Sequence, residues 1–374
     1  MQRAIWRRRL ASWRALAVFW MALFSTAGLG AAALQSLGPV QPKPISVAAR
    51  RDEARENVQK PEPVKGGVQV TDSARPAPEA KPTQVPIQAA VGSAAARRVA
   101  SPDPTLLEPA PHEPTARLPR IASDGRSPRV VYAAMPAAVP NGAARIALLV
   151  SGVGLSEKDT QAAISGLPGP VSLAISAYAS MKPAVLEAAR AAGHELFASV
   201  PMEPQGFPQN DEGPQALLTG STPERNALNL EWALGRIEGA VGATGASDGM
   251  LGERFAEAGG AMDPVLDEIA RRGLLYLDPR PGRSRTRPDL HARSVDVVID
   301  DPPARAEMEA KLATLERVAR EKGVAVGLVG RLQPVTLDRL SKWTKALAAR
   351  GFVLVPVSSL VPNSSPVSNA IASQ

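Results

Sequence analysis

The 374-residue chain contains no cysteine, which excludes a disulfide framework, a thiolate zinc site and a thiol nucleophile together. Histidine is nearly as scarce: there are three, His112, His194 and His291, and no two stand at a metal-ligand spacing. A histidine-based zinc centre is therefore not expected. Aromatic residues are only 4% of the chain. Trp232 and Trp343 fall on amphipathic helical patterns, where core packing is the first reading and sugar stacking the second. Acidic residues are absent from the first 51 positions, which hold eight Lys and Arg. The net charge of +7 thus belongs to the front end, and the remainder carries about one net negative charge. That distribution argues against nucleic acid as a partner.

Proline is abundant but uneven, with 18 of the 36 between Gly38 and Pro140. A stretch so rich in Pro, Ala and charge buries little apolar surface, so residues 35–143 read as a disordered linker, with His112 inert inside it. Before it lie a basic stretch, residues 1–14, and an apolar run, residues 15–34. Twenty helical residues span about 30 Å, the hydrocarbon thickness of a bilayer. The flanking arginines place the N-terminus in the cytoplasm and the rest outside. Ala31-Ala32-Ala33 leaves a cleaved signal peptide as the alternative. Either reading exports the C-terminal part, as an inner-membrane-anchored periplasmic domain or a secreted one. Residues 363–374 read as a disordered tail.

Residues 144–362 carry the folded pattern. Four times a helical stretch ends in glycine and runs into an apolar β-rich segment: at Ala192-Gly193, Arg272-Gly273, Lys322-Gly323 and Arg350-Gly351. Glycine just past a helix end accepts the left-handed conformation that closes the last turn. The strands expected after these are residues 195–200, 274–277, 324–329 and 352–357, joined by 146–150, 171–176, 240–243 and 295–299. Thr222 and Pro223 start a helix whose apolar stripe is Ala227, Leu230, Leu234 and Ile237, and Met308, Leu312, Leu315 and Ala319 form another. Alternation of this kind marks an α/β architecture. An irregular seven-stranded (β/α) barrel fits best, with an open doubly wound sheet as the alternative. In both, chemistry gathers at the C-terminal ends of strands.

At and between those ends stand residues 145–156 (RIALLVSGVGLS), 167–173 (LPGPVSL), 193–204 (GHELFASVPMEP), 210–220 (NDEGPQALLTG), 229–237 (NLEWALGRI) and 271–278 (RRGLLYLD). Together they resemble the divergent polysaccharide deacetylase family over roughly residues 144–360. The resemblance implies a deformed (β/α) barrel of the sugar deacetylase type. It also implies metal-assisted removal of acetyl groups from an envelope polysaccharide, with a paired Asp after the first strand and histidines from later loops. This chain departs at each of those places. Ser151-Gly152 stands where the Asp pair belongs, residues 249–255 (GMLGERF) where an Asn-His-Met-Gly-Ser-Arg-Phe type of string belongs, and Gly330-Arg331-Leu332 where Gly-His-Pro belongs.

The remaining candidates for substrate binding are Ser151, Glu203, Asp248, Glu253, Arg254, Asp278, Arg280, Asp300 and Arg331. Glu203 either binds a sugar hydroxyl or orders its proline-flanked loop. Asp278 and Arg280 read first as a surface ion pair. Asp248 reads as a turn former, and Asp300 and Asp301 as turn and cap residues before Pro302-Pro303. Ser151 lacks the elbow and the histidine of a nucleophile, and Gly152-Val153-Gly154 lacks the third glycine of a nucleotide loop. His194 is expected on the face opposite the site. The first expectation is a catalytically degenerate domain that binds a glycan or a periplasmic partner protein and needs no cofactor. The alternative is an active hydrolase with a carboxylate-only, divalent-metal site at Glu203, Asp248 and Asp300. A third is a structural envelope protein that only docks.

Overall fold

The computed structural model describes residues 98–361 apart from 284–286 and 288. The apolar run at 15–34 and the tail at 363–374 lie outside the described residues, within which no helix is long and apolar enough to cross a membrane.

The described chain opens with a short antiparallel pair, β1 (Leu107–Pro109) and β2 (Arg117–Pro119), and one turn of helix, α1 (Pro128–Val131). The barrel follows in alternation: β3 (Ala144–Val153), α2 (Glu157–Gly166), β4 (Ser172–Ser176), α3 (Pro183–Ala191), β5 (Leu196–Ser199), α4 (Pro223–Leu234) and β6 (Gly242–Thr244). Then come α5 (Glu253–Glu257), α6 (Gly259–Arg271), β7 (Leu275–Asp278), β8 (Ala292–Ser294), β9 (Val297–Val298), α7 (Arg305–Lys322), β10 (Val324–Val329), α8 (Pro334–Lys345) and β11 (Phe352–Leu354). The four glycines that close helices all adopt positive φ, from 67° at Gly273 to 95° at Gly193.

Every pairing in the main sheet is parallel, in the order β8-β7-β6-β5-β4-β3-β10-β9, with β11 beside the start of β3. The two ends of this order are successive pieces of one segment. Ala292–Ser294 pairs with β7, and Val295 N–H still donates to Asp278 O at 3.0 Å. One residue later Asp296 N–H donates to Val326 O at 2.8 Å, and Val297–Val298 pairs with β10. The sheet thus curls until its edges meet in a single stretch of main chain. The expected strand at 295–299 is the second half of that stretch; its first half, β8, had no separate signal.

Alternation along the strands sorts the core into two layers. Outward residues such as Leu148, Val150, Leu173, Ile175, Ala198 and Ala325 lie with the helices. Inward ones, Leu149, Ala174, Phe197, Leu277, Val326 and Leu328, fill the barrel. Gly242 lets β6 sit tightly: a Cβ there would lie 2.7 Å from Leu275 O and 2.8 Å from the Phe197 ring. Gly242→Ala should therefore cost about 1–3 kcal/mol by overpacking, read as a lower denaturation midpoint at unchanged m-value. The stripe on α7 is buried as expected. On α4 Leu230 and Leu234 of the expected stripe are buried, as is Ile237 just past the helix, but Ala227 is exposed and Asn226, Asn229 and Ala233 face inward as well. The two asparagines are spent on the loop before the helix, Asn226 bonding both main-chain groups of Leu218 and Asn229 the carbonyl of Ala216.

The expectation of disorder through residue 143 is corrected from residue 98 onward. Leu106, Ala122 and Tyr132 belong to the same apolar cluster as the barrel interior. The arm is tied down by Arg272, which reaches Glu108 at 3.0 Å and Pro119 O at 2.8 Å, and by Val99 N–H on Arg190 O. His112 is engaged too, with Nδ1 2.9 Å from Glu231. Glu195, at the N-terminal end of β5, is fully buried and accepts from Ser172 Oγ, Ser358 N–H and Oγ, and Ala134 N–H. It ties the arm, β4 and the C-terminal turn together beneath the barrel. His194 beside it is also buried, with Nδ1 2.8 Å from Val171 O and Nε2 3.3 Å from Ile164 O. Burial pushes its pKa down, and its place is away from the strand C-termini, as expected.

Candidate functional site at the barrel mouth

The C-terminal ends of β4, β5 and β6 present Ser176, Ser199 and Thr244 in register, all buried. Ser151, one strand over on β3, is fully buried as well. The Oγ atoms of Ser151 and Ser199 have no hydrogen-bond partner among the described residues. The loop after β6 crosses above these hydroxyls. Met202 packs against Gly245 and Gly252, so a Cβ on Gly252 would lie 2.5 Å from it. On the far side, Gly249 N–H donates to Gly330 O at 2.7 Å, and Arg331 reaches Asp248 O at 3.1 Å. Gly152 lies under Asp248, whose Oδ1 would be 3.5 Å from a Cβ at that glycine. The loop thus joins β6 to β10 and β3 across the mouth. Asp248 adopts φ 39°, the left-handed region that a non-glycine residue enters at some cost, so its reading as a turn former holds.

The candidate carboxylates are each committed to a partner. Glu203 is buried; its Oε2 accepts from Thr219 N–H at 2.6 Å and Thr219 Oγ1 at 2.7 Å, and its Oε1 faces Arg254 Nε at 2.9 Å. It orders its loop as one reading had it, and also holds a half-exposed arginine. Glu253 accepts from Gln205 N–H. Asp300 accepts from Gly330 N–H at 2.7 Å and Arg331 N–H at 2.8 Å, fixing the turn after β10, although burial still pushes its pKa up. Asp301 is exposed beside it. The expectation of a surface pair at Asp278 and Arg280 is corrected. Both are buried, and the guanidinium binds the carboxylate through two bonds, at 2.9 and 2.7 Å, which raises the pKa of Arg280. His291 directly precedes β8, its carbonyl accepting from Tyr276 N–H at 2.9 Å near the start of β7, away from the mouth. Among the described residues no three His, Cys, Asp or Glu side chains are grouped to hold a metal ion.

A family model for divergent polysaccharide deacetylases matches residues 148–361. This chain belongs to the divergent polysaccharide deacetylase family. An uncharacterised Agrobacterium tumefaciens protein of known structure is 31% identical to it, over 66% of this chain and all of that one, with a TM-score of 0.59. The catalytic domain of a peptidoglycan N-acetylglucosamine deacetylase from Eubacterium rectale aligns over 61% of this chain and 94% of its own, at 16% identity and a TM-score of 0.34, too slight a likeness to bear on function. A search of curated proteins finds no match. The family match takes in the curled parallel sheet and its flanking helices, and residue 148, where it begins, is already inside β3.

One residue of the mouth gave no sign in the sequence. Glu212, in the loop after β5, is 5% exposed, lies near the Ser247 side chain and leaves Oε1 unpartnered among the described residues. Its string, Asn210-Asp211-Glu212-Gly213, reads as an ordinary solvated turn, and its burial comes from segments distant in sequence. A separate cavity of about 450 Å³ opens between α4 and α6, lined by Pro111, Asn226, Leu230, Val265 and Arg271. Trp232 packs against the core, 5.1 Å from the Tyr178 ring and beneath Arg236, and Trp343 is buried, which favours the packing reading for both.

Proposed function

We propose that the domain is a catalytically degenerate member of its family that binds an acetylated envelope polysaccharide at the barrel mouth. The observation that carries this reading is the pairing of the mouth carboxylates: Glu203 with Thr219 and Arg254, Asp248 with Arg331, Asp278 with Arg280, and Asp300 with two main-chain N–H groups. A carboxylate already neutralised by a guanidinium is a poor ligand for a divalent ion and a poor base toward water. That weighs against the hydrolase alternative built on Glu203, Asp248 and Asp300. The half-exposed guanidiniums of Arg254 and Arg331 keep N–H groups free to turn toward solvent beside carboxylate oxygens. Such paired donors and acceptors match the vicinal hydroxyl and acetamido groups of a sugar chain. The same reading places the domain outside the cytoplasmic membrane, carried there by the arginine-flanked run at 15–34.

The test uses the purified protein with soluble chito-oligosaccharides and their O-acetylated counterparts, by calorimetry and by acetate release with added zinc or manganese. Binding should be seen without acetate release, and Arg254→Ala should weaken it at least tenfold, about 1.4 kcal/mol. Metal-dependent acetate release that is lost in Glu203→Gln would establish the hydrolase instead. Absence of binding to every sugar, with retention of envelope proteins, would leave docking on a protein partner.

A further inference from the structure

Large apolar side chains left in solvent are common one at a time and need no account. Of the seven in the described chain, four fall within one short stretch of the arm: Ile121 at 45%, Val130 at 60%, Met135 at 72% and Val139 at 39% exposed. The stretch lies on the face of the barrel opposite the mouth. Ile121, Ser127 and Pro128 all crowd Gly273, which closes α6 there, and Arg129 N–H donates to the Gly273 carbonyl at 3.1 Å. Ala134, next to Met135, donates to Glu195 at the start of β5. The described chain also begins on this face, where Val99 N–H meets Arg190 O at the end of α3.

The charge of the stretch is one-sided. Residues 117–145 hold five arginines and a single acid, Asp124, which pairs with Arg126. Arg117, Arg120, Arg129 and Arg145 have no acidic partner among the described residues; Arg120 bonds only the carbonyl of Thr105. Arg129 is half-buried, with Nη1 on Ser127 Oγ at 2.7 Å and Nε unpartnered among the described residues. Burial pushes its pKa down and no carboxylate opposes the shift. The acids that share the face, Asp103, Glu108 and Glu187, are each already held by an arginine.

We propose that the arm docks on an anionic phospholipid bilayer, with Ile121, Val130, Met135 and Val139 entering the interface, Arg117, Arg120 and Arg129 meeting lipid phosphates, and the mouth turned away from the membrane. This rests on the reading that places the domain beside a membrane, and is independent of what the mouth binds. Apolar tips ringed by unpaired cations are what the boundary between headgroups and acyl chains takes up. A guanidinium matches two phosphate oxygens at once, which favours phospholipid over a merely apolar surface. A second copy of the chain fits less well, because a two-fold contact would set the same arginines against each other.

The chain has no cysteine, so one introduced at exposed Val139 or Leu155 carries a polarity-sensitive nitrobenzoxadiazole label at a single known place. The full-length protein is mixed with vesicles of phosphatidylcholine, alone or with phosphatidylglycerol as one lipid in three. Flotation reports separately whether the run at 15–34 anchors it. On anionic vesicles the label in Val139→Cys should brighten at least threefold and be quenched by brominated acyl chains. The label in Leu155→Cys, just past β3 at the mouth, should stay as in water. Val130→Ser with Met135→Ser, or Arg120→Gln with Arg129→Gln, all at exposed or half-buried positions, should each cut the brightening at least threefold. No brightening on anionic vesicles that carry the protein up the gradient would overturn the docking and leave the anchor standing. Brightening on anionic vesicles with no flotation on neutral ones would uphold the docking without the anchor. Brightening that survives both double replacements, or that appears without vesicles and grows with protein concentration, the sign of a second copy, would overturn it.

Discussion

Replacing Glu195 by alanine should lower stability by about 3–5 kcal/mol, among the largest effects of any single change in the domain. Its carboxyl is fully enclosed and accepts four hydrogen bonds, from Ser172 Oγ, Ser358 N–H, Ser358 Oγ and Ala134 N–H. Truncation removes the acceptor and leaves those donors buried together, each costing its own desolvation. The three segments they come from, β4, the C-terminal turn and the arm, have no continuous backbone ladder among themselves at that point, so the loss is shared by all three. For a domain of this size the midpoint of thermal unfolding should drop by roughly 10 °C. Glu195→Gln should recover part of the loss, because one amide oxygen can still accept while its NH2 faces donors it cannot satisfy. A change below about 1 kcal/mol by denaturant titration would contradict this account of the barrel floor.

The second large effect belongs to Asp278. Asp278→Ala leaves the Arg280 guanidinium buried without its counter-ion, which should cost about 3–5 kcal/mol. The informative comparison is the double replacement Asp278→Leu with Arg280→Met. Removing both charges at once, at similar volume, should restore most of the stability, because the penalty comes from the stranded charge rather than from the worth of the pair. If the double variant is as unstable as Asp278→Ala, the pair is instead holding the turn after β7 through the Arg280 N–H on Asp278 Oδ1 at 3.0 Å. Equilibrium urea unfolding of the three proteins separates the two outcomes.

Helix-closing glycines are a local signal, since the left-handed φ at Gly193, Gly273, Gly323 and Gly351 is needed wherever those helices end. The strands after them, and hence the architecture, were legible for that reason. The ordered arm was not, because Tyr132 and Leu106 are fixed by a barrel interior more than ten residues away in sequence, and composition registers only their proline-rich surroundings. Strands of two or three residues such as β8 and β9 have too little length for alternation to be read, and they exist because β7 and β10 stand on either side. At the mouth, the residue types pointed to the right strand ends, yet which carboxylate meets which arginine is decided by loops that converge only in space. Glu212 is the clearest case: the same four letters on an exposed turn would carry an ordinary carboxylate.

The circumference of the barrel rests on Ser294, Val295 and Asp296, where the chain leaves one neighbour and takes up the other. Residues added between those positions would widen the girth of the barrel and leave every other strand register intact. Loss of the Asp296 bonds to Val326 would leave the Val297–Val298 ladder to β10 as the seam's remaining hold. Such a seam gives the scaffold one adjustable joint through which its bore can change without repacking the other walls.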